Sequence, residues 1–262
     1  MSTIFFILPV GVLLFGAIIG SFLNALSFRF NTGRSIANGR SRCMHCNHTL
    51  GILDLVPVFS YLLLRGRCRY CGTKISLQYP VVEIVAAGIS LITYVTHPDP
   101  LAFFFWLLVW MILLFIVIYD LRHTIIPWSF SIPLLFLALL WVFIFRDPMS
   151  GSIQSYYLWA LLAGPLLALP LFLISLVSGG RWMGWGDSML ELSLGLLLGL
   201  SVGASALMCA FWSGALVGIF LLFLKKGFKI RSEIPFAPFL AFGAFLAHTF
   251  NVDFFSSLPL LW

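Results

Sequence analysis

The chain has 262 residues, of which 61% are hydrophobic and only 9% charged, and its formal net charge is +6. Soluble domains average about 45–50% apolar and about 25% charged residues. The composition therefore excludes an ordinary soluble protein and indicates a polytopic integral membrane protein. Since the basic residues do not form one amphipathic face, they are better explained by membrane topology and contact with membrane lipid than by binding to nucleic acid.

Apolar stretches recur along the chain, each near the roughly 17–25 residues that a bilayer crossing requires. A backbone in hydrocarbon must satisfy its own hydrogen bonds, so these stretches are predicted to be helices. The predicted fold is an all-α bundle of about eight transmembrane helices with a small cytoplasmic zinc-knuckle insert. The predicted spans are about 3–27, 80–97, 101–119, 128–145, 155–177, 188–201, 203–224 and 235–252.

The basic residues predict the orientation. If the 28–79 segment is cytoplasmic and eight spans alternate, fourteen of the fifteen Lys and Arg residues lie in cytoplasmic connections, and only Arg146 does not. This asymmetry follows the positive-inside rule. Three parts are expected: a retained first helix over 1–27, a cytoplasmic insert over 28–79, and a membrane bundle over 80–262.

The insert carries two CxxC pairs, Cys43-Met44-His45-Cys46 and Cys68-Arg69-Tyr70-Cys71, with 21 residues between them. Two such pairs supply the four thiolates of a structural tetrahedral zinc site. A metal would also stabilise a segment too short for a large core. A redox CxxC, or replacement of one thiolate by His45 or His48, is an alternative. Cys209 lies alone and is expected to pack.

Two aspartates stand at the edges of apolar stretches, where an ionisable side chain is a candidate functional group. Asp120 closes the third predicted span, and Asp187 ends Gly184-Trp185-Gly186-Asp187 before the sixth. The alternating topology places both at the cytoplasmic mouth. Facing carboxylates share a proton and can activate water. Gly184 and Gly186 would allow a sharp turn and the close approach of another segment.

Each aspartate also has a structural explanation. Asp120 could pair with Arg122, and Asp187 could be an N-cap. Glu191 lies one helical turn beyond Asp187, where it could face the same cavity or pair with Arg181. Glu83 opens the second span, either with a role near the insert or as an acid favoured by the helix dipole.

Several motifs together resemble the type IV prepilin peptidases, membrane aspartic proteases of the GxGD kind. The resemblance covers most of the chain and preserves the order of the motifs. It is carried by both CxxC pairs and by Gly20-Ser21-Phe22-Leu23-Asn24, Gln78-Tyr79-Pro80-Val81-Val82-Glu83, Asp120 with Ile126-Pro127, Gly184-Trp185-Gly186-Asp187, and Ile234-Pro235-Phe236-Ala237-Pro238-Phe239.

The resemblance implies an enzyme of the bacterial inner membrane that removes the basic leader of prepilins and pseudopilins, after a glycine and on the cytoplasmic side. It implies Asp120 and Asp187 as the catalytic pair. From their positions in the sequence, Gly184, Gly186 and Glu83 are predicted to support the site. The resemblance also implies Cys43, Cys46, Cys68 and Cys71 as zinc ligands. Many members also methylate the new N-terminus with S-adenosylmethionine.

The chain departs from the family pattern at two positions. Trp128 follows Ile126-Pro127 where an acidic or amide residue is common, and Met189 stands where a lysine is common. Both changes leave the aspartate pair intact, but they bear on the charge near Asp187 and on methylation. The alternatives are a peptidase without methyl transfer and a non-enzymatic membrane scaffold or transporter with a zinc docking module.

Overall fold

The computed structural model describes residues 2–32, 40–145, 153–224 and 234–256. Within those ranges the regular structure is helical, and the only β pairing is two isolated bridges in the insert. The all-α prediction is therefore confirmed. The α-helices are α1 (Ser2–Arg29), α2 (Phe59–Leu63), α3 (Gln78–Thr96), α4 (Pro100–His123), α5 (Trp128–Leu140), α6 (Ile153–Ser178), α7 (Trp185–Leu198), α8 (Leu200–Leu224) and α9 (Ala237–Phe250).

Each predicted span coincides with one helix. Five helices are long and apolar enough to cross a bilayer: α1, α3, α4, α6 and α8. The chain is therefore a multi-pass membrane protein. Two apolar helices are shorter, Trp128–Ile144 and Ala237–Phe250. The predicted limits of the sixth span were wrong, because α7 begins at Trp185 and Gly199 (φ +83°) separates it from α8.

Several residues used to predict topology lie outside the described ranges. They are Arg34, Arg146, Lys225, Lys226, Lys229 and Arg231.

The chain forms two compact units, residues 1–111 and 112–262, which divide within α4. The first unit holds the predicted insert and the second holds both aspartates. This division is by compactness, whereas the predicted one separates a polar insert from apolar helices by composition.

In the first unit, α1 packs on α3 through small residues. A Cβ atom added at Gly20 would lie 2.8 Å from Ala86 Cβ and 2.9 Å from Glu83 Cα. One turn earlier, Gly16 lies equally close to Ala86 and Ser90. Small residues four apart let membrane helices approach closely, because lipid offers little hydrophobic driving force for their association.

In the second unit, small residues allow close helix packing at two further places. Gly164 of α6 and Gly195 of α7 face each other so closely that a Cβ on Gly195 would lie 2.8 Å from Gly164 Cα. Likewise, a Cβ on Gly243 of α9 would lie 2.9 Å from the backbone nitrogen of Ala210 in α8. These contacts fix α7 against α6 and α9 against α8, and α7 and α9 both supply groups to the site described below.

Candidate active site and cysteine cluster

The two CxxC pairs adopt the same local turn. The amide of Asn47 donates to Cys43 O at 3.0 Å, and the amide of Gly72 donates to Cys68 O at 2.9 Å. Both donors have a positive φ, 57° at Asn47 and 70° at Gly72. Glycine and asparagine tolerate this conformation better than other residues. Each turn therefore directs both of its thiols to one side.

The four thiols converge on one point. The Sγ atoms of Cys43, Cys46, Cys68 and Cys71 all lie within 4.8 Å of one another, and those of Cys43 and Cys71 are 3.9 Å apart. A tetrahedral zinc site with Zn–S bonds of about 2.3 Å implies roughly 3.8 Å between sulfurs. The residues therefore fit a metal ion such as zinc.

The surroundings of the thiols agree with that fit. All four cysteines are free thiols. The Thr73 hydroxyl lies 3.3 Å from Cys71 Sγ, and hydrogen bonding with the Thr73 side chain and backbone lowers the pKa of that thiol to about 6. A redox CxxC needs two thiols, whereas here four meet. Among the described residues, neither histidine belongs to the cluster, and His48 packs against the Tyr70 ring.

Asp54 anchors the second cysteine pair to the rest of the insert. Its carboxylate accepts a hydrogen bond from Tyr70 Oη at 3.2 Å and one from the Gly51 amide at 3.1 Å, and it pairs with Arg69 Nε at 2.9 Å. The two knuckle residues between Cys68 and Cys71 are thus tied to the turn at 51–54. Sequence reasoning missed this role of Asp54.

Glu83 holds a strained turn of the same unit. Its Oε2 accepts a hydrogen bond from the Val58 amide at 2.7 Å, and its carboxylate also bonds with Ser21. Val58 has a φ of 62°, which is unusual for a β-branched residue. Glu83 is 6% exposed and so connects α1, α3 and the turn before α2 from a buried position. Its carboxylate therefore lies beside the insert, and a functional role for it there stays a prediction.

Asp120 and Asp187 come from different helices of the second unit. Asp120 lies in the last turn of α4 and is 4% exposed, while Asp187 lies in the first turn of α7 and is 8% exposed. The two carboxylates are close enough for their charges to interact. The structure therefore brings together the two groups that the sequence singled out.

Asp187 is not the N-cap, as one alternative predicted. Gly184 occupies that position, and its amide donates to Asp187 Oδ2 at 3.1 Å. This bond orients the carboxylate at the start of α7, where the helix dipole favours negative charge. One oxygen of Asp187 is thereby engaged by the backbone of its own turn.

Asp120 receives a contact that the sequence did not predict. The backbone amide of Ala237, the first residue of α9, hydrogen-bonds to its carboxylate. Oδ2 of Asp120 is buried and forms no hydrogen bond of ordinary geometry in the described part of the chain. A buried polar atom without a partner is costly unless it serves a function. The motif Ile234–Phe239 was the available signal, but nothing in it indicated a backbone donor.

The two glycines beside Asp187 differ in importance. A Cβ on Gly186 would lie 2.7 Å from Ile126 Cβ, so α7 approaches the segment after α4 at this residue. A Cβ on Gly184 would only reach Asp187 Oδ2, at 3.4 Å. The expected close approach is present at Gly186. The expected sharp turn is not, because Gly184 has an ordinary extended conformation (φ −74°, ψ 152°).

Glu191 lies on α7 one turn beyond Asp187 and is 2% exposed. Within the described ranges it makes no hydrogen bond or ion pair. The alternative pairing with Arg181 is not observed, since Arg181 Nε donates to Ser178 O. Glu191 is thus a second buried carboxyl on α7, outside the pair formed by Asp120 and Asp187.

Comparison with known proteins identifies the family. The family model described as the bacterial peptidase A24 N-terminal domain matches residues 14–97. The prepilin leader peptidase/N-methyltransferase of Aeromonas hydrophila is 32% identical over 214 residues, which cover 79% of this chain and 70% of that protein. The chain belongs to the prepilin leader peptidase/N-methyltransferase family. No solved structure matches it significantly.

Other members of the prepilin leader peptidase/N-methyltransferase family match over similar or greater lengths. The Dichelobacter nodosus protein is 32% identical over 219 residues, covering 81% of this chain and 72% of its own length. The Bacillus subtilis (strain 168) protein is 29% identical over 238 residues, covering 91% and 92%. These matches confirm the resemblance drawn from the motifs.

Proposed function

We propose that the protein is a membrane aspartic endopeptidase that removes the leader peptide of type IV prepilins or pseudopilins after a glycine. One observation carries the proposal. Asp120 and Asp187, from two different helices, are buried carboxylates near enough for their charges to interact, in a chain of this family. The names of its relatives support prepilins as the substrate class.

The pair divides the work of acid and base. Two carboxylates this close do not both ionise readily, so they share one proton. The ionised member takes a proton from water, and the hydroxide formed attacks the carbonyl carbon of the scissile peptide. The protonated member donates its proton to the carbonyl oxygen, which gives a gem-diol. As the C–N bond breaks, the proton taken from water passes to the leaving amine, and a gem-diol hydroxyl returns a proton to the other aspartate, so that the pair again holds one proton.

The surroundings of the pair suit this chemistry. The amide of Ala237 stabilises charge on one oxygen of Asp120, and the Gly184 amide does so for Asp187. Oδ2 of Asp120, which has no hydrogen-bond partner of ordinary geometry in the described part of the chain, is available to water or substrate. Burial excludes bulk water, which strengthens each electrostatic interaction within the site.

The orientation belongs to the same proposal. The excess of basic residues in alternate connections supports a cytoplasmic location for the insert and for the aspartate pair. The protein would then lie in the bacterial plasma membrane and cut leaders on its cytoplasmic face. The prepilin's apolar N-terminal helix would lie in the bilayer, beside the exposed apolar side chains of the membrane helices.

Zinc has a structural role in this proposal. Cys43, Cys46, Cys68 and Cys71 would hold it, and four thiolates leave no open position for a substrate or a reactive water. When bound, it would cross-link the two turns that bear the cysteines. No catalytic step passes through it.

Replacing either aspartate tests the peptidase. Asp120→Asn and Asp187→Asn should each abolish leader removal from a co-expressed prepilin, measured as the mobility shift of the mature pilin. Asp99→Asn is the matched control, since Asp99 caps the opposite end of α4 through the Ala102 amide. If both site variants still cleave while they are present in the membrane at normal levels, the peptidase proposal is wrong and a scaffold or transporter becomes the better explanation.

Methylation is a second proposed activity, supported by the relatives' names, which include N-methyltransferase. S-adenosylmethionine would supply the methyl group, and the amine released by cleavage would accept it. Mass spectrometry of the mature pilin N-terminus checks this directly. A mass increase of one methyl group supports the activity, and an unmodified amine identifies a peptidase without methyl transfer.

A further inference from the structure

The first compact unit contains two adjoining cavities beside the C-terminal end of α1. The larger has a volume of about 720 Å³ and extends into the insert, while the smaller, of about 340 Å³, follows the side of α1. They share Ser21, Ala25, Arg29, Ser41 and Leu55 in their walls. A ligand that occupies both would pass from a groove along α1 into a larger chamber with several basic side chains in its wall.

The larger cavity is lined by five cationic side chains: Arg29, Arg40, Arg42, Arg69 and Lys74. Its acidic lining residues are Asp54, which pairs with Arg69, and Glu83, which is bonded to Val58. Within the described residues, Arg40, Arg42 and Lys74 have no carboxylate partner.

The metal site also contributes to the net charge around the larger cavity. A zinc ion held by four thiolates has a net charge of minus two. The five cations still exceed the two carboxylates and this cluster by one unit. The chamber is therefore suited to a ligand that brings one negative charge.

The smaller cavity is apolar along α1. Ile18 and Phe22 line it and are 58% and 54% exposed, whereas Arg29 and Ser41 stand at its polar end. The Ile7–Arg29 helix is long and apolar enough to cross a bilayer and ends at Arg29. Hence the groove runs beside the hydrocarbon region, and the chamber begins where basic side chains meet the membrane surface.

We infer that these cavities bind one anionic glycerophospholipid, with its phosphate in the cationic chamber and an acyl chain in the groove along α1. Charge and shape together support this occupant. A free phosphate ion would leave the apolar groove empty, and a basic peptide would be repelled by the cations. The inference does not depend on the peptidase proposal, because every lining residue belongs to the first unit.

Lipid titration tests the inference. The full chain, purified in a neutral detergent, is titrated with dioleoylphosphatidylglycerol and followed by native mass spectrometry. We expect one molecule to bind at least tenfold more tightly than dioleoylphosphatidylcholine. Replacing two lining cations in Arg42→Gln/Lys74→Gln should weaken phosphatidylglycerol binding by about 30-fold, from the usual contribution of each basic group at a membrane surface.

The matched control is Arg65→Gln/Arg67→Gln. It removes the same charge from the same insert, but neither residue lines either of these two cavities. It should change binding less than threefold. Equal weakening in both pairs would show general electrostatic attraction and would overturn the site. Equal binding of inorganic phosphate, or of phosphatidylcholine, would overturn the assignment of an anionic lipid.

A second measurement is independent of whether the variants fold. A photoactivatable phosphatidylglycerol is cross-linked to the unaltered protein, and the modified peptides are identified by mass spectrometry. Cross-links should concentrate on residues 18–29 and 40–44. Cross-links spread over all membrane helices, without enrichment there, would contradict the inference.

Discussion

The cysteine cluster and the aspartate pair are both assembled from distant parts of the sequence, but by different means. Each half of the cluster is a local turn that already aims two thiols in one direction, so only two pieces have to meet. No local turn of the chain arranges the two aspartates beforehand. Asp120 and Asp187 each come singly from a helix end, and their approach depends on how α4, α7 and α9 pack. A cluster of this kind depends on its ligand, whereas the pair depends on its fold.

Metal removal should have the largest effect on stability, and that effect should be confined to the insert that carries the cysteine cluster. Structural zinc sites contribute apparent binding free energies of about 10–16 kcal/mol. Cys68→Ala, or chelation, should therefore remove one zinc per chain and expose residues 40–75 to proteolysis. Metal analysis and limited proteolysis check this. Cys209→Ala is the control and should keep its zinc, and a folded, protease-resistant insert without metal would contradict the prediction.

The aspartate variants should lose activity without losing stability, the opposite of what metal removal does to the insert. General acid–base groups contribute about 10²–10⁴-fold in rate, so Asp120→Asn and Asp187→Asn should lose activity on that order. Their thermal midpoints should stay the same or rise, since a neutral amide is easier to bury than a carboxylate. Initial rates and thermal unfolding of the purified variants give both quantities. A large loss of stability in either variant would show that the pair is structural.

The two glycines before Asp187 test how closely the second site is packed. Gly186→Ala should destabilise the protein by about 1–3 kcal/mol, because the added methyl group meets Ile126 Cβ at 2.7 Å. It should also reduce cleavage. Gly184→Ala adds the same methyl group at an ordinary contact distance and should leave cleavage within about twofold, well below the overpacking effect. Thermal unfolding and initial rates distinguish the two, and equal effects would mean that spacing at Gly186 is unimportant.

Substitutions of Glu83 test how much one hydrogen bond stabilises a turn of the first unit, and the expected effect is smaller. Glu83→Ala leaves the partly buried Val58 amide without its acceptor and should cost about 1 kcal/mol, the low end of the usual range for an unsatisfied donor. Glu83→Gln keeps an acceptor oxygen and should cost less. Thermal unfolding compares the two variants, and amide hydrogen exchange at Val58 reports the turn itself. Should the two behave alike, the bond to Val58 contributes little to holding this turn.

The helices and the cysteine cluster were predictable because their signals are local. A run of apolar residues specifies a membrane helix wherever it packs, and two CxxC pairs specify four converging thiols. The aspartates were identifiable as costly charges at helix ends, and the motif around Asp187 strengthened that prediction. The limits of α7 were missed because Gly and Ser there blur the apolar pattern.

The contacts that complete each site were not predictable from the sequence. The Ala237 amide has no side-chain signature, since any residue except proline carries the same donor. The hydrogen bond from Val58 to Glu83 depends on a turn with positive φ, a conformation that valine rarely adopts. Asp54 carried no motif at all. Such contacts follow from tertiary packing, which a single sequence does not encode in a local pattern.

The contact between Asp120 and Ala237 has a consequence for biogenesis. A ribosome makes α4 and α7 before α9, so both aspartates leave the tunnel before the amide that binds one of them. During this interval Asp120 lacks the donor that holds it in the finished site. The environment of Asp120 is therefore complete only after α9 has joined the protein in the membrane.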